Sequence, residues 1–189
     1  MLDASMSFAY RPVEWTLTLG SVSWIGREPT LDMTRLTGAF GQTSDGWFFN
    51  HLVVQTPRSA LALDGRVVRG RAPAVLDLQV QADAFAFQEW AGVLGGLKNI
   101  AVESKFDTTL KGPLTALDTN LQLTGTGGTV TGQLTLDTTV PGWHGAGAVD
   151  VAQLNLARWM NRDDKRSNIT GHVTFDLDLD LGRRFPHGA

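Results

Sequence analysis

The chain has 189 residues, with 16 Lys and Arg against 19 Asp and Glu, a net charge of -3 and no cysteine. This mild, unclustered balance leaves no basic footprint for a phosphate backbone, which excludes nucleic acid as a partner. The lack of cysteine excludes disulfides, thiolate metal ligands and thiol nucleophiles.

The opening "MLDASMSFAY" has neither the basic nor the apolar region of a secretory leader. No run approaches the roughly 20 apolar residues of a spanning helix. The expectation is a cytosolic chain or a piece of a longer protein whose targeting lies elsewhere. The terminal "GRRFPHGA", which follows a strong strand without a closing element, favours the second.

Period-2 alternation recurs along the chain and predicts strands. "VEWTLTLG" places Val13, Trp15, Leu17 and Leu19 on one side and Glu14, Thr16 and Thr18 on the other. The alternation changes phase near Gly20 and Gly38, which marks both as candidate bulges. In "ALALDGRVV", Leu61, Leu63, Gly65 and Val67 share a side. Asp64-Gly65 is a hairpin-type dipeptide, but the alternation runs through it and favours a strand with an internal glycine. "VLDLQVQAD" sets Leu76, Leu78, Val80 and Ala82 against Asp77, Gln79, Gln81 and Asp83. Residues 85–94, "FAFQEWAGVL", are compact and amphipathic and predict a short helix. "NLQLTGTGGTVTGQLTLDT" reads as a hairpin, with Leu121 and Leu123 before a Gly127-Gly128 turn and Val130, Leu134 and Leu136 after it. Residues 154–162, "LNLARWMNR", predict a second short helix. In the strand that follows, Val173, Phe175, Leu177, Leu179 and Leu181 alternate with Asp176, Asp178 and Asp180.

A shift of 69 residues superposes Trp90 on Trp159, Asn99 on Asn168, Ile100 on Ile169, Phe106 on Phe175, Asp107 on Asp176 and Leu110 on Leu179. These are six identities over the 27 positions from Ala84 to Leu110, where chance supplies about one or two. Gly65 and Gly132 correspond at a shift of 67. The predicted unit is strand, strand, short helix, long strand. It divides the chain into 1–58 (a partial, divergent unit), 59–127 and 128–189, stacked as in a repeat protein with open ends.

No catalytic constellation emerges, and the chain reads as a non-enzyme without a cofactor. His51, His144, His172 and His187 lack metal-ligand spacing, and no G-x-S-x-G elbow exists. "GTGGTVTG" lacks the Lys-Ser/Thr of a phosphate loop and leads into a strand. The aspartate row is not a metal site. Residues i and i+2 on a strand lie about 7 Å apart and point in parallel, whereas calcium needs six to eight oxygens at about 2.3–2.6 Å. Like charges at that spacing cost about 0.6 kcal/mol in water and several times more when buried, so the row belongs in solvent. The opposite apolar stripe either fills a sandwich core under a second sheet or lines a trough formed by one curling sheet. Residue patterns alone leave both open.

The stretches "TPRSALALDGRV" (56–67), "KGPLTAL" (111–117) and "LNLARWMNRDDKRSNITGHVTFDLDLDLG" (154–182) resemble the AsmA-like superfamily, in particular the repeated module of TamB-type proteins. The likeness spans roughly residues 30–182 and rests on the order and spacing of loose motifs. It implies a mostly β fold: a long, twisted, taco-shaped, antiparallel-rich sheet of repeated units with two short helices and an apolar inner groove. It also implies a periplasmic protein, anchored in the inner membrane through its parent chain, that moves phospholipid toward the outer membrane. An outer-membrane BamA-like barrel is the implied protein partner. On that reading, phospholipid acyl chains lie against Leu76, Leu78, Val80, Phe106, Leu110, Leu121, Leu123, Leu134, Leu136, Phe175, Leu177, Leu179 and Leu181. The alternative is a structural module supporting outer-membrane protein assembly through strand pairing at open edges.

Overall fold

A computed structural model describes residues 2–26, 31–69, 72–139 and 143–178. The alternating segments form strands β1 (Leu2–Arg11), β2 (Glu14–Ile25), β3 (Asp32–Thr43), β4 (Gly46–Gln55), β5 (Ala60–Val68) and β6 (Val75–Ala86). They continue as β7 (Glu103–Pro113), β8 (Leu117–Gly125), β9 (Gly128–Asp137), β10 (His144–Leu154) and β11 (Ile169–Asp178). The strands pair in chain order, each antiparallel to the next, in one open eleven-stranded sheet. The described residues form no second sheet, which removes the sandwich alternative. β5 runs through Asp64-Gly65 as the alternation predicts. Gly65 has φ +128, and a Cβ there would meet the Asp77 carbonyl oxygen at 2.0 Å, so glycine alone fits.

The helical predictions shrink. Residues 85–86 complete β6, and two 3-10 turns follow, Phe87–Gly92 and Gly95–Asn99. The second stretch forms α1 (Leu156–Met160) and a 3-10 turn, Asp163–Lys165. The Asn155 side chain accepts the Ala157 N–H at 3.1 Å and caps α1. Ala86, at the matching place, has no side-chain acceptor, and the tighter helix forms there instead. The β8–β9 turn is centred on Thr126 and Gly127, one residue earlier than predicted, because Gly125 pairs with Gly128.

Bulges set the phase. Gly20 and Ser21 lie between the paired residues Leu19 and Val22 opposite the single Thr37, as the phase change at Gly20 predicts. At Gly38 the extra residue sits on the neighbouring strand, where His51 (φ +48) lies in β4. Two further bulges are matched. Asp83-Ala84 interrupts the β6–β7 pairing, and Ala152-Gln153 interrupts β10–β11 at the same place in the unit.

Burial is thin, as one layer requires. Among the described residues Val102 is the one large side chain less than 2 % exposed. Ala82, Phe85, Ala86, Leu123 and Ala157 are also buried along the rim where the helical turns fold over the sheet, and Leu19, Leu31 and Leu117 are buried elsewhere.

Candidate functional site: the apolar face

Residues paired across antiparallel strands lie on the same face, so the pairing register assigns every side chain to a side. Leu78, Leu110, Thr119, Leu134, Gly147 and Phe175 form one cross-strand row from β6 to β11. Val80, Thr108, Leu121, Gly132, Val149 and Val173 form the next. Ala82, Phe106, Leu123, Val130, Val151 and Gly171 run along the helical rim. Leu76 faces Val67 and Gly112, while Leu136 and Leu177 flank Gly145 near the other rim. All of the predicted face residues from Leu76 to Leu177 therefore share one face. Leu179 and Leu181 lie outside the described residues.

The same face continues through the first five strands, where the sequence reading named no candidates. Phe8, Leu17, Phe40, Phe49 and Gly65 extend the Leu78 row to β1. Trp15 anchors an aromatic cluster with Trp47 at 5.5 Å and Phe40 at 5.8 Å, both edge to face. The signal in "GWFFNHLVVQ" was masked by the bulge. Phe49 and Leu52 are an odd number apart, yet both face the apolar side because two residues, Asn50 and His51, oppose Asp64 alone.

Side chains in the middle of this face are half-buried by one another, while Phe8 and Leu177 on the two edge strands are 63 % and 53 % exposed. The helical turns cover the face only at its rim, through edge-to-face and stacked rings. Phe85 lies 5.4 Å from Phe106 and 5.6 Å from Trp90, and Phe87 lies 5.6 Å from Trp159.

The opposite face is polar and hydrogen-bonded across strands. Gln81 donates to Asp107 at 2.8 Å, and Thr135 donates to Asp118 at 3.1 Å. Asp176 and Asp178 face solvent, 78 % and 90 % exposed at their side chains, and Asp180 lies outside the described residues. Sequence reasoning missed their partner. His144 Nδ1 sits 2.9 Å from Asp178 and Nε2 sits 3.4 Å from Asp176. His172 meets Asp150 at 2.7 Å and His51 meets Asp64 at 3.5 Å. The Asp178 hydrogen bond raises the His144 pKa above its ordinary value against the opposing effect of desolvation, aided by the charges of Asp176, Asp178 and Asp137. Among the described residues no group of three or more His, Cys, Asp or Glu is placed to hold a metal.

Three depressions, of about 580, 390 and 330 Å³, lie mainly on the polar face. The largest is lined by His51, Gln55, Gln81, Lys105, Asp107 and Gln122 among others. Val53, Leu61, Ala62, Ala82 and Phe106 line it as well, so its wall is mixed and marks no particular solute. What the apolar face offers is a mostly apolar band running across the strands, broken by Thr108 and Thr119. No helix among the described residues is long and apolar enough to cross a membrane.

Comparison with models of known families, with curated proteins and with solved structures finds no match for the chain.

Proposed function

We propose that this chain carries phospholipid along its apolar face, as part of a periplasmic, bridge-like lipid-transfer protein of the AsmA-like, TamB type. The observation that carries this reading is a mostly apolar face extending over eleven strands, with a second layer among the described residues only at one rim. A packed domain core of this extent would be covered, and an exposed apolar surface of this kind marks an interaction site. Acyl chains lying against the Leu78–Leu110–Leu134 row would escape water at about 0.8 kcal/mol per CH₂. Headgroups would project past the rims into solvent. Movement along the band needs no catalytic group.

A photoreactive residue at Leu134 should capture phospholipid from a membrane extract. The same residue at Gln133, one position along β9 and on the polar face, should capture none. Equal capture at both would overturn the reading.

The open edges favour a second reading, an assembly module that recruits strands of an outer-membrane protein and cooperates with a BamA-like barrel. β1 is exposed along its described side chains and β11 along all but one of its residues. Such edges are templates for strand addition. Lipid capture at Leu134 with no effect of blocking either edge would leave the first reading standing alone.

A further inference from the structure

We propose that the helical rim is a docking surface for an anionic lipid bilayer. The rim comprises the turns at Phe87–Gly92, Gly95–Asn99 and Asp163–Lys165 together with α1. These pieces, far apart in sequence, touch: the Ala101 N–H donates to the Arg158 carbonyl at 2.9 Å, beside the contact between Phe87 and Trp159. Over residues 87–102 and 155–168 the cations are Lys98, Arg158, Arg162, Lys165 and Arg166. The acids there are Glu89, Asp163 and Asp164, so the rim carries +2 while the remainder of the -3 chain carries -5.

The charge is also directed. Glu89 is turned inward, accepting from the hydroxyls of Thr56 at 2.5 Å and Ser59 at 2.6 Å. Asp164 is taken up by Arg162 at 2.9 Å and Lys165 at 3.7 Å. Lys98, Arg158 and Arg166 remain exposed, with Asp163 as the one exposed acid not named in these contacts. Between them the rim exposes large apolar side chains: Val93 at 49 %, Leu94 at 54 % and Met160 at 47 %. Cations interleaved with apolar side chains on short amphipathic helical pieces are the chemistry that rests at a headgroup interface. The negative remainder of the chain is repelled by the same surface, so the molecule meets the bilayer rim first. This surface is distinct from the apolar face and does not depend on what that face carries.

The test is co-sedimentation with vesicles of phosphatidylcholine, with and without phosphatidylglycerol. The chain should bind the phosphatidylglycerol vesicles, and binding should weaken as salt is raised. Each cation removed should weaken it about fivefold, and K98A/R158A/R166A together about 100-fold. These side chains are exposed, so an unchanged circular dichroism spectrum should confirm that the variant is folded. Leu94→Ser, which removes the apolar side chain and leaves the charge alone, should weaken binding without altering its salt dependence. Failure of the parent chain to bind phosphatidylglycerol vesicles, or equal binding by the triple variant, would overturn the proposal. The result is independent of lipid capture at Leu134, so either idea can fail alone.

Discussion

The two helical turns that close the rim, one after β6 and one after β10, solve the same problem with different chemistry. Trp90 and Trp159 lie 69 residues apart and both point their indole N–H into the preceding hairpin turn. Trp90 donates to the Ser59 hydroxyl at 3.1 Å, and Trp159 donates to the Gly127 carbonyl at 3.0 Å. The first turn adds a carboxylate. Glu89 collects the Thr56 and Ser59 hydroxyls and the Arg58 N–H, and Arg58 in turn pairs with Glu103. The second has Arg158 in the place of Glu89 and relies on a backbone acceptor and the Asn155 cap. The tryptophan is the shared requirement, because a large apolar body with one donor can seal a rim against whichever acceptor the turn presents.

Trp90→Ala and Trp159→Ala should produce the largest losses, each about 3 kcal/mol in urea unfolding. A loss at one site without the other would break the equivalence of the two rims. Glu89→Ala should cost about 1.5–3 kcal/mol, because it strands the Thr56 and Ser59 hydroxyls. Arg158→Ala should change stability by less than about 0.5 kcal/mol. Equal effects of Glu89→Ala and Arg158→Ala would show that the carboxylate network is incidental.

The smallest effect concerns the polar side, where Asp107 takes amide partners in the first unit and the β10–β11 aspartates take imidazoles. The His144 pKa is raised by folding, so its contribution is fully present below the ordinary value of 6.5 and fades as pH rises through the folded value. Protection factors of β10 and β11 amides, corrected for the intrinsic rise of exchange with pH, should fall over that window while those of β6 and β7 stay unchanged. Asp178→Asn should move the His144 NMR titration midpoint downward.

The repeat shows how far sequence comparison reaches. By cross-strand row, Leu61 corresponds to Val130 and Ala82 to Val151, both 69 residues apart, where the glycine-centred strands are expected at 67. The third strand does not follow. Phe85 pairs with Ser104 nineteen residues on, whereas Leu154 pairs with Ile169 fifteen residues on. β11 therefore slips by four residues, and Phe175 lies in the row of Leu110 rather than of Phe106. The identities that aligned Phe106 with Phe175 and Ile100 with Ile169 are real in sequence but not equivalent in space. Gly65 and Gly132 likewise occupy different rows. The slip is even, so every side chain keeps its face, and alternation could not reveal it.

Alternation was enough to find β2, β5, β6, the β8–β9 hairpin and β11 and to sort their side chains by face, because side-chain direction along a strand is a local property of period two, whereas bulged β4 stayed hidden. The described residues from Leu76 to Leu177 named on that basis share one face of the sheet. Register, the closure of β4 over its His51 bulge, and the union of residues near 90 with residues near 160 at one rim came only from the folded sheet. Those depend on loop length and on which backbone groups find partners across strands, and no short window of sequence contains both sides of such a pair.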